Sequence, residues 1–78
     1  MMYVLLELFV FTGTREYIAD VEELGGHVQD DIRKDTHYLV QKDAASVSNK
    51  TKKALAAGAK IVSLAQLELI LAGEERLP

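Results

Sequence analysis

Seventy-eight residues leave room for one domain, and a chain this short buries only about 60% of the surface its unfolded form exposes. With no cysteine there is neither a disulfide framework nor thiolate chemistry, and two widely spaced histidines without other ligands around them argue against a metal site. The formal charge of −3 argues against a general nucleic-acid coat, but it hides an asymmetry: residues 1–32 sum to −6, residues 33–60 to +5 and the remainder to −2.

The chain opens on an apolar run from Tyr3 to Phe11, broken only by Glu7, which reads as a buried strand. It does not read as a signal peptide, since it has no basic leader, Glu7 interrupts it and no small-residue cleavage site follows, and it is too short to cross a bilayer. The run stops at Thr12-Gly13-Thr14, where Gly13 allows a tight turn and close approach of a ligand to the main chain. Arg15 to Leu24 then places Tyr17, Val21 and Leu24 at i, i+4 and i+7, the spacing of an amphipathic helix. Unpaired N–H groups at such a helix start attract phosphate.

Gly25 and Gly26 end that helix, and a short strand follows around His27 to Gln29. After a charged turn over residues 30–35, Thr36 to Val40 supplies β-branched and aromatic residues for another strand. Lys42 to Ser48 reads as a polar loop, and Ser48 to Ala57 as a second helix stopped by Gly58. Lys60 to Val62 is a brief strand. Ser63 is then an N-cap with Gln66 three residues on, a capping box opening a helix that carries Leu64, Leu67, Ile70 and Leu71. Gly73 stops this helix, and residues 74–78 read as a loose tail behind a single domain over residues 1–73.

The order β-α-β-β-α-β-α, with short connections, predicts a small α/β domain built on a parallel sheet with helices on both faces. In such sheets ligands gather at the carboxyl ends of the strands, which is where Thr12 and Gly13 lie.

The pieces Phe9-Val-Phe-Thr-Gly-Thr, Glu23-Leu-Gly-Gly-His-Val, Asp35-Thr-His-Tyr-Leu-Val, Lys50-Thr-Lys-Lys-Ala-Leu-Ala-Ala-Gly and Lys60-Ile-Val-Ser-Leu occur in this order and spacing. Together they resemble the BRCT domain, above all the type found in NAD-dependent DNA ligases and in the large subunit of replication factor C. The resemblance covers Phe9 to about Leu71. It implies a four-stranded parallel sheet with the first and third helices on one face and the second on the other. It also implies a phosphate pocket made by a hydroxyl residue ending the first strand, the glycine after it and a lysine near the start of the second helix. Those positions are Thr12, Gly13 and Lys50 here, and Arg15 is nearest to the arginine that some DNA-binding members add. The chain departs from the family in a shorter connection between Gly13 and Gly25, and in lacking the tryptophan of the last helix, whose space falls to Leu67 or Leu71. Phosphopeptide readers of this family usually work as tandem pairs, and the pattern occurs once in these residues.

The residues themselves carry the same chemistry. Lys50, Lys52 and Lys53 cluster near the start of the second helix, where the macrodipole disfavours each cation by roughly 0.3–1 kcal/mol, and a phosphate offsets that repulsion. Thr14, Arg15, Lys52 and Lys53 are therefore further candidate contacts. The plain reading of the same residues is a strand-to-helix turn beside a solvated lysine face. Glu22 and Glu23 read as a solvated face, and His27 and His37 as residues at the sheet margin. Tyr17 and Tyr38 read as core or partly buried residues with hydroxyls reaching water. Ser46 and Ser48 lack a histidine and carboxylate at catalytic spacing, and no glycine-rich nucleotide loop is present, so the expectation is a non-enzyme without cofactor.

The expected function is a phosphate-recognising module of DNA replication or repair, engaging a 5′-phosphorylated DNA end or a phosphorylated protein. The alternative is a protein interaction or assembly module, a homodimer among its forms, using the acidic first helix or the apolar Met1 to Leu6 at the sheet edge. Either role fits an intracellular setting, as a stand-alone chain or a domain of a larger ligase or repair protein.

Overall fold

The computed structural model describes residues 7–43 and 45–78. Seven elements follow one another: β1 (Leu8–Thr12), α1 (Ile18–Glu23), β2 (His27–Gln29), β3 (Tyr38–Gln41), α2 (Asn49–Ala56), β4 (Lys60–Ser63) and α3 (Leu64–Leu71). The strands form one sheet in the order β2-β1-β3-β4, and every pairing is parallel. The start of the apolar run, Tyr3 to Leu6, and the edge contact expected of Met1 to Leu6 lie outside the described residues.

Alternation along the strands divides the core into two layers. Phe9, Tyr38, Val40 and Val62 point to one face, where Val21 of α1 and Leu67 and Ile70 of α3 cover them. Val10, Leu39 and Ile61 point to the other, under Ala54 of α2, with Ala59 and Ile32 completing that layer. Strands covered on both sides read as continuous apolar runs, which is why alternation is hard to see in Phe9-Val10-Phe11 or Tyr38-Leu39-Val40. The rings of Phe9 and Tyr38 stack across the β1–β3 pair at 5.4 Å between centroids. Leu67 is fully buried in the layer under α3, while Leu71 is partly buried against it.

All three helices stop in the same way. Gly25, Gly58 and Gly73 take positive φ, and the residue after each donates back to the carbonyl of Val21, Ala54 or Leu69 at 2.8–2.9 Å, so the orphan carbonyls of the last turn are satisfied. Gly26 has a different role: a Cβ there would lie 2.5 Å from Val21 Cγ1 and 3.2 Å from Phe9 Cε1, so its bare backbone lets α1 close onto β1.

Four expectations change. The first helix starts at Ile18 and not at Arg15, because Thr14 Oγ1 accepts the Glu16 N–H at 3.2 Å and Tyr17 takes φ 67°, winding residues 13–17 into a loop. The third strand runs from Tyr38 to Gln41, two residues later at its start than Thr36, whose side chain is drawn into the preceding turn. The reciprocal capping box belongs to α2, where Ser48 and Thr51 exchange bonds; Ser63 caps α3 through its bond from the Gln66 N–H at 3.1 Å. The last residues return to the sheet: Leu77 packs on the first core layer, and the Tyr38 hydroxyl, expected to reach water, donates to the Pro78 carbonyl at 2.8 Å.

Candidate phosphate-binding cleft

The carboxyl end of β1 sits in the middle of the sheet, with Thr12 level with Gln41 of β3. Gly13 follows at φ +71°, with no atom within 4 Å of where a Cβ would be. The glycine is thus required by backbone conformation, and the space beside it stays open to a ligand. From the other side comes the first turn of α2. Thr51, in that turn, donates to Gln41 Oε1 at 2.8 Å, which ties the helix start to the end of β3 and sets Lys50 beside the loop after β1. As first-turn groups, the N–H groups of Asn49 and Lys50 have no intrahelical acceptor.

The result is an open cleft of about 670 Å³. It gathers Thr12, Gly13, Thr14, Arg15 and Lys50, five of the seven residues singled out from the sequence, over an apolar floor of Phe11, Ile18 and Val28. Neither Arg15 nor Lys50 is engaged in an ion pair among the described residues. Lys52 and Lys53 are not brought to it. Both are exposed on α2, and Lys53 Nζ lies 3.8 Å from Asp31 Oδ2 instead. Asp31 titrates below its ordinary range, first because its Oδ1 accepts the Ile32 N–H at 2.8 Å, then because Lys53, Lys50 and Arg33 stand near it.

Two charged residues line the cleft that sequence reasoning did not place there, Glu22 and Asp30. Glu22 belongs to the acidic side of α1, read as a solvated face, and Asp30 follows β2 and pairs with Arg33 at 3.4 Å on the surface. No sequence pattern marks them, since they reach the cleft only through the packing of α1 and β2 against β1. Gln29 also lines it, but its amide is committed, with Oε1 accepting from Thr36 at 2.6 Å and Nε2 donating to Asp35 at 3.2 Å.

The strained residue beside the cleft is Tyr17. A left-handed conformation costs a residue with a side chain roughly 1–2 kcal/mol. The ring offsets this by packing on the α1–α3 core layer. Partial burial, and then the carboxylates of Glu68, Glu16 and Asp20, push its phenol above the ordinary value.

At the opposite end of the sheet a smaller concavity of about 330 Å³ is lined by Glu7, His37, Lys60 and Pro78. His37 Nδ1 accepts the Leu8 N–H at 3.0 Å, so this histidine acts as a strut between β1 and the entry to β3. His27, on the edge strand β2, is exposed. No helix among the described residues is long and apolar enough to cross a membrane. Compared with known proteins, the chain matches no family model and no curated protein.

Proposed function

We propose that this chain is a non-catalytic module of the BRCT type whose cleft binds a phosphate monoester, carried by a DNA 5′ end or by a phosphorylated partner protein, in replication or repair. The observation that carries the reading is the convergence of Thr12, Gly13, Arg15 and Lys50 on one open cleft. The Thr12 hydroxyl and the backbone around Gly13 are suited to donate to phosphate oxygens, and Arg15 and Lys50 supply charge that no ion pair among the described residues consumes. The sheet order and the sharing of helices between its faces agree with what the resemblance implies.

A fluorescence anisotropy titration tests it, using a short duplex with and without a recessed 5′-phosphate and a phosphoserine peptide with its unmodified counterpart. Binding that depends on the phosphate and is lost in Lys50→Ala is the expected result. If neither phosphorylated probe binds, or phosphate makes no difference, the reading fails. An assembly role draws on one observation, the exposure of Val47 and Leu55 on the α2 side at 69% and 58%. Concentration-dependent dimerisation, abolished by Leu55→Lys and indifferent to phosphate, would favour it.

A further inference from the structure

The cleft carries as many carboxylates as cations, with Glu22 and Asp30 lining it beside Arg15 and Lys50. Neither carboxylate is paired with Arg15 or Lys50 among the described residues; Glu22 is in no ion pair, and Asp30 holds only the exposed pair with Arg33 at 3.4 Å, which a ligand cation can exchange for its own. The acidic side continues outward: Asp20, Glu22 and Glu23 are exposed on α1, whose last turn has no basic residue, and Asp30 and Asp31 are exposed after β2. On the basic side, the next cation along α2 from Lys50 and Lys52 is Lys53, and it is taken by Asp31.

This distribution suits one class of ligand better than another. A DNA end brings a row of phosphates, and affinity for it depends on neutralising several of them. Here every phosphate beyond the first that leaned toward α1 or β2 would meet a carboxylate. A phosphorylated peptide brings one dianion, and its neighbouring side chains are free to differ in sign. A lysine or arginine next to the phosphorylated residue would place its charge against Glu22 and Asp30, with its aliphatic stem along Phe11, Ile18 and Val28.

Resting on the phosphate reading above, we infer that Glu22 and Asp30 form an anionic subsite that selects phosphopeptides carrying a basic residue beside the phosphate and rejects polynucleotide ends. The two carboxylates are specificity determinants, and the phosphate contacts remain those of Thr12, Gly13, Arg15 and Lys50.

The test uses fluorescein-labelled pentapeptides with a central phosphoserine flanked by lysine or by glutamine, an unphosphorylated lysine peptide, and a 5′-phosphorylated duplex. Each is titrated against the wild-type chain and the double variant Glu22→Gln/Asp30→Asn, at roughly 0.1 M salt so that long-range attraction is screened. Both substituted side chains are exposed, and circular dichroism checks that the variant keeps the fold. The wild type is expected to bind the lysine-flanked phosphopeptide roughly three- to ten-fold more tightly than the glutamine-flanked one, the scale of one or two exposed ion pairs. In the variant that preference disappears, the glutamine-flanked phosphopeptide binds no worse, and the duplex gains affinity. Equal binding of the two phosphopeptides to the wild type overturns the inference and leaves the phosphate reading standing. So does a duplex that binds the wild type more tightly than either peptide. An unphosphorylated lysine peptide that binds as well as its phosphorylated form overturns it by showing attraction to the acidic side alone. Failure of every phosphorylated probe overturns both readings together.

Discussion

Thr51 Oγ1 donates to Gln41 Oε1 across 2.8 Å, and both residues are almost wholly buried. The same glutamine donates through Nε2 to the carbonyls of Asp43 and Ser46 at 2.7 and 2.8 Å, and Thr51 Oγ1 accepts the Ser48 N–H at 3.2 Å. One buried amide thus fixes the end of β3, the loop after it and the start of α2, which is the element that delivers Lys50. Replacing Thr51 by the near-isosteric valine leaves Gln41 Oε1 buried without its donor. The expected loss is about 1–3 kcal/mol in chemical denaturation. Phosphate affinity should fall as well, because Lys50 precedes the residue that anchors its helix. A Thr51→Val protein with unchanged stability would show that the bond has no such anchoring role.

Lys50→Ala should separate function from stability. Lys50 lies in the first turn of α2, where a cation opposes the macrodipole, and alanine is the better helix former. Without ligand the variant should be more stable by about 0.3–1 kcal/mol. Its affinity for a phosphorylated probe should drop roughly ten-fold or more, the value of a charged hydrogen bond. Thermal denaturation in the absence of phosphate, set beside the titration, reads both signs. A variant that lost stability along with affinity would point to a structural lysine instead.

Two glycines give a further contrast. Ala at Gly13 meets no atom within 4 Å but must hold φ +71°, costing roughly 1–2 kcal/mol, and the strain falls on the cleft. Ala at Gly26 would press its Cβ against Val21 and Phe9, costing about 1–3 kcal/mol by overpacking, and the strain falls on the α1–β1 contact. Gly13→Ala should therefore weaken phosphate binding out of proportion to its stability loss, whereas Gly26→Ala should do the reverse. Denaturation midpoints and titrations of the two variants under the same conditions decide it.

These residues also show where the sequence was readable. The lysines beside the start of α2 stood out as a group, and only the resemblance singled out Lys50 among them. Thr12 and Gly13 stood out because element ends carry local signals, here a strand run that stops at a glycine. Gly25, Gly58 and Gly73 were legible for the same reason. Glu22 and Asp30 were not, since an acid on a helix or in a turn looks solvated whichever way it faces, and only the packing of α1 and β2 on β1 turns them to the cleft. Lys53 misled because it lies close in sequence to Lys50, while on the helix it faces Asp31. Gln41 fell between the strand read to Val40 and the loop read from Lys42, and its role depends on Thr51, ten residues on. Tyr17 fitted the helical spacing so well that its left-handed backbone left no trace in the pattern.

Asp31 sets a pH dependence, because on folding its carboxylate gains first the Ile32 N–H and then Lys53. The Ile32 N–H and then Lys53 hold the Asp31 carboxyl below its ordinary value of 3.8. A group whose folded value is depressed contributes stability that is present above the unfolded value and is lost as pH falls through the folded one. The Asp31 contribution should thus be intact at neutral pH, begin to fade as pH drops to about 4, and be gone in stronger acid. Asp31→Asn removes this dependence, so the stability difference between wild type and variant should shrink below about pH 4. The Ile32 bond is to a backbone donor, whereas the lysine attraction is screened at this exposed site. Raising the salt concentration should therefore reduce only part of the difference. Denaturation curves of both proteins between neutral pH and strong acid, at low and high salt, measure it; a gap that stayed constant through that range would show that Asp31 titrates alike in the folded and unfolded chain.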